Sequence, residues 1–361
     1  VLKVVEHIKK YGLCSLADEY SIKIKRHPEF SNLVLLKYSQ INTPMNDITR
    51  ECRGIILDEN DDWRPVCYTY KRFANIQENW GDTVDFNTAK IYEKLDGSLM
   101  QLYYYGGSWR VASSGTPDGG GEVMGTTTTF AELFWKVWAS LNYAYPIDKD
   151  TCYAFELMTQ YNRVVVKHKE PRLVLHGARN LSDFTELDPK VVADKNGWEC
   201  VKTYPFDSWE DVLSATDDID PAKGEGFVAC DENYNRTKIK SKKYVALAHF
   251  RDGITARRIL DIVRKNESLE FLGHFPEFGA AYNRVSDKYQ ELVKRIENFY
   301  DSVKHIEDKK QFAMMVKDQQ FSEVLFCLHN GKVKSVNEAL SEVQIKRLEG
   351  WLGLKSVVML F

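Results

Sequence analysis

The sequence predicts an α+β fold in which a domain rich in antiparallel sheet, residues 1–243, is followed by an all-helical domain, residues 244–361. Three observations lead there. The chain has 361 residues, enough for two domains at the usual ~100–200 residues each. Up to about residue 243 short β-like runs alternate with turns, and beyond about residue 250 the apolar period becomes helical.

The β-like runs are Gly54–Asp58, Leu99–Tyr105, Trp109–Ser113, Val164–His168, Arg172–His176, Gly226–Cys230 and Thr237–Ser241. One helix interrupts them. Thr129 and Glu132 stand in capping-box spacing ahead of Leu133, Phe134, Val137, Trp138 and Leu141, which share one helical face and read as core. Pro117–Gly121 reads as a mobile loop, because consecutive glycines leave the backbone unconstrained. A phosphate-loop reading of it fails, since no GK[ST] follows. In the C-terminal part, Tyr289, Leu292, Val293, Ile296, Phe299, Tyr300, Val303 and Ile306 mark a long amphipathic helix. Phe321, Val324, Leu325 and Leu328 mark another, with Gly331 in the place of a capping glycine.

Composition narrows the function. Hydrophobic residues at 43% and charged residues at 28% exclude global disorder. No apolar run reaches the ~18–20 residues of a membrane span, and Val1–Lys10 interleaves charge with apolar positions, so a soluble chain without a signal peptide and without a membrane partner is expected. Seven scattered cysteines without a CxxC pair argue for a reducing, cytoplasmic setting and against structural zinc. The histidines form no HExxH pair and no GxSxG elbow occurs, so metalloprotease and serine-hydrolase readings have no support. The net charge is −3, and from Val245 onward 18 Lys and Arg face 16 Asp and Glu, so a nucleic-acid partner has to be sought in local patches.

The informative stretch is Glu93-Lys94-Leu95-Asp96-Gly97-Ser98. It holds a lysine at the end of a β-like segment, two residues before an Asp-Gly turn whose glycine permits close approach of a phosphate. Alone it also reads as a surface hairpin, which Asp-Gly favours. Downstream, Glu156 sits inside an apolar strand-like run and Glu225 at a strand start, settings where a charge is uncommon unless paired or functional. In Lys238-Ile239-Lys240 a period of two turns both ammonium groups to one face. That is a two-pronged phosphate clamp or, equally, a lysine-guarded edge strand.

The order KLDGS, FE, EGF, KIKS resembles the covalent nucleotidyltransferases, the superfamily of ATP-dependent ligases and capping enzymes, and within it the phage-type RNA ligase 1 family. The resemblance runs from about residue 35 to 250 and includes Glu51-Cys52-Arg53-Gly54-Ile55, Phe73-Ala74-Asn75 and Asn162-Arg163-Val164-Val165, with Tyr244 after the last motif. It implies a ligase-type nucleotidyltransferase domain and a three-step reaction. Lys94 would attack the α-phosphorus of ATP to form lysyl–AMP, the AMP would pass to an RNA 5′-phosphate, and a 3′-hydroxyl would displace it. Lysine suits this, because its pKa falls readily when it is desolvated near other cations such as Lys238 and Lys240.

Carried over by the resemblance, Glu156 would hold the AMP ribose and help bind metal, Glu225 would organise a hydrated Mg2+ (Mn2+ as the alternative), and Asp96 would orient the nucleophile close to that ion. Arg53 and Arg72 would grip the β- and γ-phosphates, with Lys71 as the alternative to Arg72, and Tyr38 would lie near the base. At Ser113-Ser114-Gly115-Thr116 relatives often carry a basic residue before the glycine, and this chain has none.

The helical pattern after Lys240 matches RNA ligase 1 and differs from the OB barrel of DNA ligases and capping enzymes, so RNA with 5′-phosphate and 3′-hydroxyl ends, such as a broken tRNA loop, is the expected substrate. Arg236, Lys238, Lys240, Lys242 and Lys243, with Arg163, Lys167, Lys169 and Arg172, could steer a 5′-phosphate end or form a solvated face. Two other readings stay open: a capping-type guanylyltransferase using GTP, and a nucleotide- or RNA-binding protein of the same fold without turnover.

Overall fold

The computed structural model describes residues 1–123, 126–162, 165–250 and 255–354, apart from the side chains at 249, 250, 274 and 277. The sequence motif residues Arg163 and Val164 therefore lie outside the described residues. The chain divides into two compact units, one of residues 1–39 and 43–248, the other of residues 40–42 and 249–361. Among the described residues no helix is long and apolar enough to cross a membrane.

The first unit begins with helices α1 (Lys3–Tyr11) and α2 (Leu13–Tyr20), followed by strands β1 (Lys23–Arg26) and β2 (Leu33–Lys37). Helix α3 (Asp47–Glu51) leads into β3 (Arg53–Asp58) and β4 (Arg64–Cys67), and strands β1 to β4 form one antiparallel sheet in chain order. Then come β5 (Ala74–Asn75), β6 (Lys90–Lys94), β7 (Ser98–Tyr105), β8 (Ser108–Ser113), α4 (Phe130–Ser140), β9 (Thr151–Met158), β10 (Arg172–Asn180) and β11 (Glu186–Leu187). Helix α5 (Pro189–Asn196), β12 (Glu199–Cys200), β13 (Thr203–Tyr204), α6 (Trp209–Asp218), β14 (Gly226–Cys230), β15 (Arg236–Lys240) and α7 (Lys242–Phe250) complete the order.

A second sheet has the order β11-β10-β9-β7-β8, with β12 alongside β10, and a third has the order β13-β6-β14-β15-β5. Both are mainly antiparallel; β12 on β10 and β5 on β15 are the parallel pairs. Helix α4 forms as its signals require. Thr129 accepts from the Glu132 N–H while Glu132 accepts from the Thr129 N–H, a cap of about 1 kcal/mol. Its Phe134 and Trp138 pack with Phe155 and Trp198 in the core on one face of the second sheet.

Two readings of the sequence are corrected here. Val165 to His168 is not strand but irregular backbone, and the N–H groups of Val165 and Val166 are spent on the Asp96 carboxylate instead of a ladder. The loop Pro117–Gly121 is pinned: Tyr103 donates to the Pro117 carbonyl, and Ala131 and Phe130 donate to the carbonyls of Gly119 and Gly121. Two open alternatives are also resolved. Leu95–Gly97 is no hairpin, since it carries the chain from β6 in the third sheet to β7 in the second. Strand β15 is no edge, because β14 covers one side and β5 pairs with it through Thr237 and Lys238 on the other.

In the second unit the regular elements among the described residues are helical. They are α8 (Ala256–Arg264), α9 (Ser268–His274), a short 3-10 turn, α10 (Gly279–Val303), α11 (Lys309–Val316), α12 (Ser322–His329), α13 (Val336–Glu342) and α14 (Ile345–Trp351). Leu292 and Ile296 of α10 are buried with Leu260, Phe312, Leu325 and Leu340 in one core, the face that the apolar period marks. Gly331 takes φ +64° just after α12, the left-handed conformation that ends helices.

Candidate active site

The third sheet walls a cavity. Period-two alternation on β15 buries Ile239 against Ile91, Val212 and Phe227 on one face and sends Arg236, Lys238 and Lys240 to the cavity on the other. Lys94, at the end of β6, lines the same cavity, as do Arg53 from β3 and Glu156 from β9. The structure thus brings together Arg53, Lys94, Glu156, Lys238 and Lys240.

Glu225 joins them through its carboxylate. Its Oε2 accepts from Lys94 Nζ at 2.7 Å and its Oε1 lies 3.6 Å from Lys240 Nζ. The spacing is set by Gly226, which pairs with Lys94 on one side and Lys240 on the other. Gly226 has φ +153°, and a Cβ there would lie 2.0 Å from the Ile239 carbonyl oxygen, so no other residue fits without moving the backbone. Two lysines and a nearly buried carboxylate are thereby packed side by side, each ammonium partly neutralised by the same anion.

Asp96 is held differently. It is buried, its Oδ2 accepts from the Val165 and Val166 N–H groups at 2.9 and 2.5 Å, and its Oδ1 accepts from Tyr244 Oη at 2.9 Å. Asn162 completes the support by donating to Ser98 Oγ and to the Leu157 carbonyl. Asp96, Asn162, Val165 and Tyr244 thus tie the loop after Lys94 to the end of the Glu156 strand. Gly97 is needed at this crossing, where a Cβ would sit 2.5 Å from the Leu157 oxygen.

Tyr38 and Arg72 do not line the cavity. The Arg72 guanidinium lies 4.2 Å from the Tyr38 ring centroid and 5.1 Å from that of Trp80, while Lys71 pairs with Asp82 at 3.1 Å. Within the proposed basic patch, Arg172 is paired with Glu199 and Arg236 with Glu186, whereas Lys167, Lys169, Lys242 and Lys243 are exposed.

Arg53 and Arg236, both marked by the sequence, have contacts there that the sequence does not show, and Tyr70, His176 and Lys37, on or beside the cavity, escaped the sequence reading as functional residues. Arg53 stacks over Tyr70 and Phe73, and its Nη1 is buried without a hydrogen-bond partner, the condition of a donor that awaits an anion. Arg236 lies over Tyr70 and Tyr234, and the Glu186 carboxylate outweighs its burial to raise its pKa. His176 and Tyr70 also line the cavity, with Tyr70 Oη 2.5 Å from His176 Nδ1. Lys37 Nζ lies 3.4 Å from Ser114 Oγ, so β2 supplies a cation at the serine–glycine turn that has none of its own. Burial together with Lys25, Lys23 and Arg53 lowers the Lys37 pKa. The signal for these was weak, because each contact joins residues far apart in sequence.

Among the described residues no three His, Cys, Asp or Glu gather as a ready metal-binding group. Glu156 and Glu225 fit a more modest donor set, since magnesium keeps several waters and takes only one or two carboxylates beside nucleotide phosphates.

A sequence profile described as RNA ligase matches residues 51–244, the span that contains every cavity residue discussed above. The chain is 24% identical to an RNA ligase of Rhodothermus phage RM378, over 82% of this chain and 85% of that protein. It is 26% identical to a protein of Autographa californica nuclear polyhedrosis virus assigned as a bifunctional polynucleotide kinase/RNA ligase, over 76% of this chain but 42% of that one. Among solved structures, a Naegleria gruberi RNA ligase with ATP and manganese aligns over 44% of this chain and 51% of its own, at 17% identity and a TM-score of 0.32. A likeness of that size carries no argument about this chain.

Proposed function

The chain belongs to the RNA ligase family, and from that premise we propose that it is an ATP-dependent enzyme of the phage-type RNA ligase 1 group. It joins 5′-phosphate and 3′-hydroxyl RNA ends, of which a cleaved tRNA loop is one candidate, through a lysyl–AMP intermediate. The observation that carries this reading is the side-by-side placement of Lys94, Glu225 and Lys240 in a cavity also lined by Arg53 and Lys238.

In the first step the Lys94 amine attacks the α-phosphorus of ATP, a P–N bond forms, and the bond to pyrophosphate breaks. The amine must lose a proton first, and Glu225 Oε2, 2.7 Å away, is the acceptor in reach. Lys238 and Lys240 face the charge that develops on the phosphoryl oxygens, the term that dominates phosphoryl chemistry. Arg53, with a buried donor unspent, holds the departing phosphates, and Glu156 holds the ribose. Arg72 and Tyr38, away from the cavity, are left to brace the region around Trp80.

Glu156 and Glu225 would hold the magnesium ion, which when bound offsets charge on the nucleotide phosphates. Asp96, with both oxygens occupied, is assigned to fixing the Lys94 loop. We assign adenylylation to residues 1–243. A nucleotide-preference assay tests the reading. Incorporation of AMP from ATP, followed by joining of 5′-phosphorylated RNA, is the expected result; GMP incorporation would favour capping, and no incorporation from either would favour a binding protein.

A further inference from the structure

Beside Glu156, the cavity wall carries a device that the chemistry above leaves unused. Strand β10 has a β-bulge between Leu175 and Gly177, so His176 is the extra residue with no partner on β9. Bulges re-aim side chains next to functional sites, and this one brings the His176 imidazole to the cavity beside Glu156. The next residue has to be glycine: a Cβ on Gly177 would lie 2.7 Å from Tyr70 Cε1. The bare backbone lets the Tyr70 ring pack against β10 and place its hydroxyl 2.5 Å from His176 Nδ1.

The tautomer follows. A carboxylate oxygen can only accept, so Glu156 Oε2 beside Nε2 keeps the imidazole proton on Nε2 and leaves Nδ1 to accept from the Tyr70 hydroxyl. That Nε2 is buried, has no hydrogen-bond partner and lies 3.5 Å from Glu156 Oε2. A buried donor is costly to leave unsatisfied, and distances of this kind tighten when a ligand completes the site.

We propose that His176 is a positioning residue for Glu156: Tyr70 fixes the imidazole, and the imidazole turns the carboxylate toward the ribose hydroxyls of a bound nucleoside triphosphate, so that the pair sets the preference for ATP over its deoxy analogues. This rests on the reading of Glu156 as the ribose ligand. A site built to hydrogen-bond a hydroxyl rejects the analogue lacking it, because its own polar group is then left unpaired.

The test compares self-adenylylation of the parent chain, His176→Leu, His176→Gln and Tyr70→Phe with ATP, 2′-deoxy-ATP and 3′-deoxy-ATP, alongside thermal unfolding. The parent should prefer ATP over at least one deoxy analogue. In His176→Leu the ATP concentration for half-maximal adduct should rise about tenfold, the loss expected for one hydrogen bond to a charged group, with the value for that analogue little changed. His176→Gln, which keeps a donor near the Nε2 position, should recover most of the preference. Tyr70→Phe, which keeps the ring and removes the hydroxyl, should lose part of it, and it stands in if His176→Leu does not fold. Equal losses with all three nucleotides, unchanged preference in every variant, or a parent that uses all three alike would overturn the proposal. A parent chain that forms no adduct at all would instead overturn the ligase reading beneath it.

Discussion

Gly226→Ala is the substitution whose consequence follows most directly from the geometry. The added Cβ would lie 2.0 Å from the Ile239 carbonyl oxygen and 2.9 Å from Lys240 Cα, both backbone atoms that cannot swing aside, at a φ of +153°. Ordinary contact begins near 3.4 Å, so β14 and β15 must separate by more than about 1 Å. The disfavoured dihedral costs ~1–3 kcal/mol and the overpacking another ~1–3 kcal/mol. Because Gly226 sits between Lys94 and Lys240 in the ladder, the same shift moves the nucleophile relative to its clamp, and a misplacement of about 1 Å costs ~10²-fold in rate. Single-turnover AMP incorporation measured beside calorimetric unfolding reads both effects. The expectation is a folded protein with a lowered unfolding temperature and a rate reduced about a hundredfold. A parental rate with an unchanged unfolding temperature would refute the claim that this glycine sets the lysine spacing.

Lys238→Ala and Lys240→Ala should each slow AMP incorporation by ~10²–10³, the loss typical of one charge-stabilising donor, without lowering the unfolding temperature comparably; rapid-quench kinetics with ATP checks this. A pH effect is expected away from the cavity, at Glu51. Burial raises its carboxyl from 4.5 to about 7 although the Lys3 and Val4 N–H groups donate to it. The folded chain then binds this proton more tightly than the unfolded chain, so the contribution is complete below about 4.5 and is lost as pH rises through about 7. Glu51→Gln should therefore flatten the decline of stability between pH 5 and 7, as read from urea unfolding at each pH; an unchanged slope would contradict it.

Much of this site was legible because its signals are local. The alternation Lys238-Ile239-Lys240 is a statement about one strand, and β15 obeys it. Thr129 and Glu132 announce α4 from four consecutive positions. What stayed hidden depends on residues distant in sequence. The pairing of Arg236 with Glu186 spans 50 positions, so a cation that reads as free in the sequence proves to be paired with a carboxylate that Arg179 also shares. The bulge at His176 inserts one residue into an otherwise regular run, and no hydrophobic period reports it. Strand β1, Lys-Ile-Lys-Arg, has a single apolar residue in four and so too short an alternation to mark a strand by itself, and β2, Leu-Val-Leu-Leu-Lys, is apolar on both faces. Tyr38 and Arg72 lie near Arg53 in sequence order yet off the cavity, because Arg72 packs its guanidinium on Tyr38 and Trp80. Val165 and Val166 look like strand, but the Asp96 carboxylate takes their N–H groups.

If Lys94 is the nucleophile, intact-protein mass after incubation with ATP and magnesium, followed by peptide mapping, will reveal it. The expected result is a single AMP adduct that maps to Lys94, is lost in acid as a phosphoramidate should be, and is absent from Lys94→Ala and also from Lys94→Arg, whose guanidinium cannot give up its proton. An adduct on any other residue, or an undiminished adduct in Lys94→Ala, would contradict it.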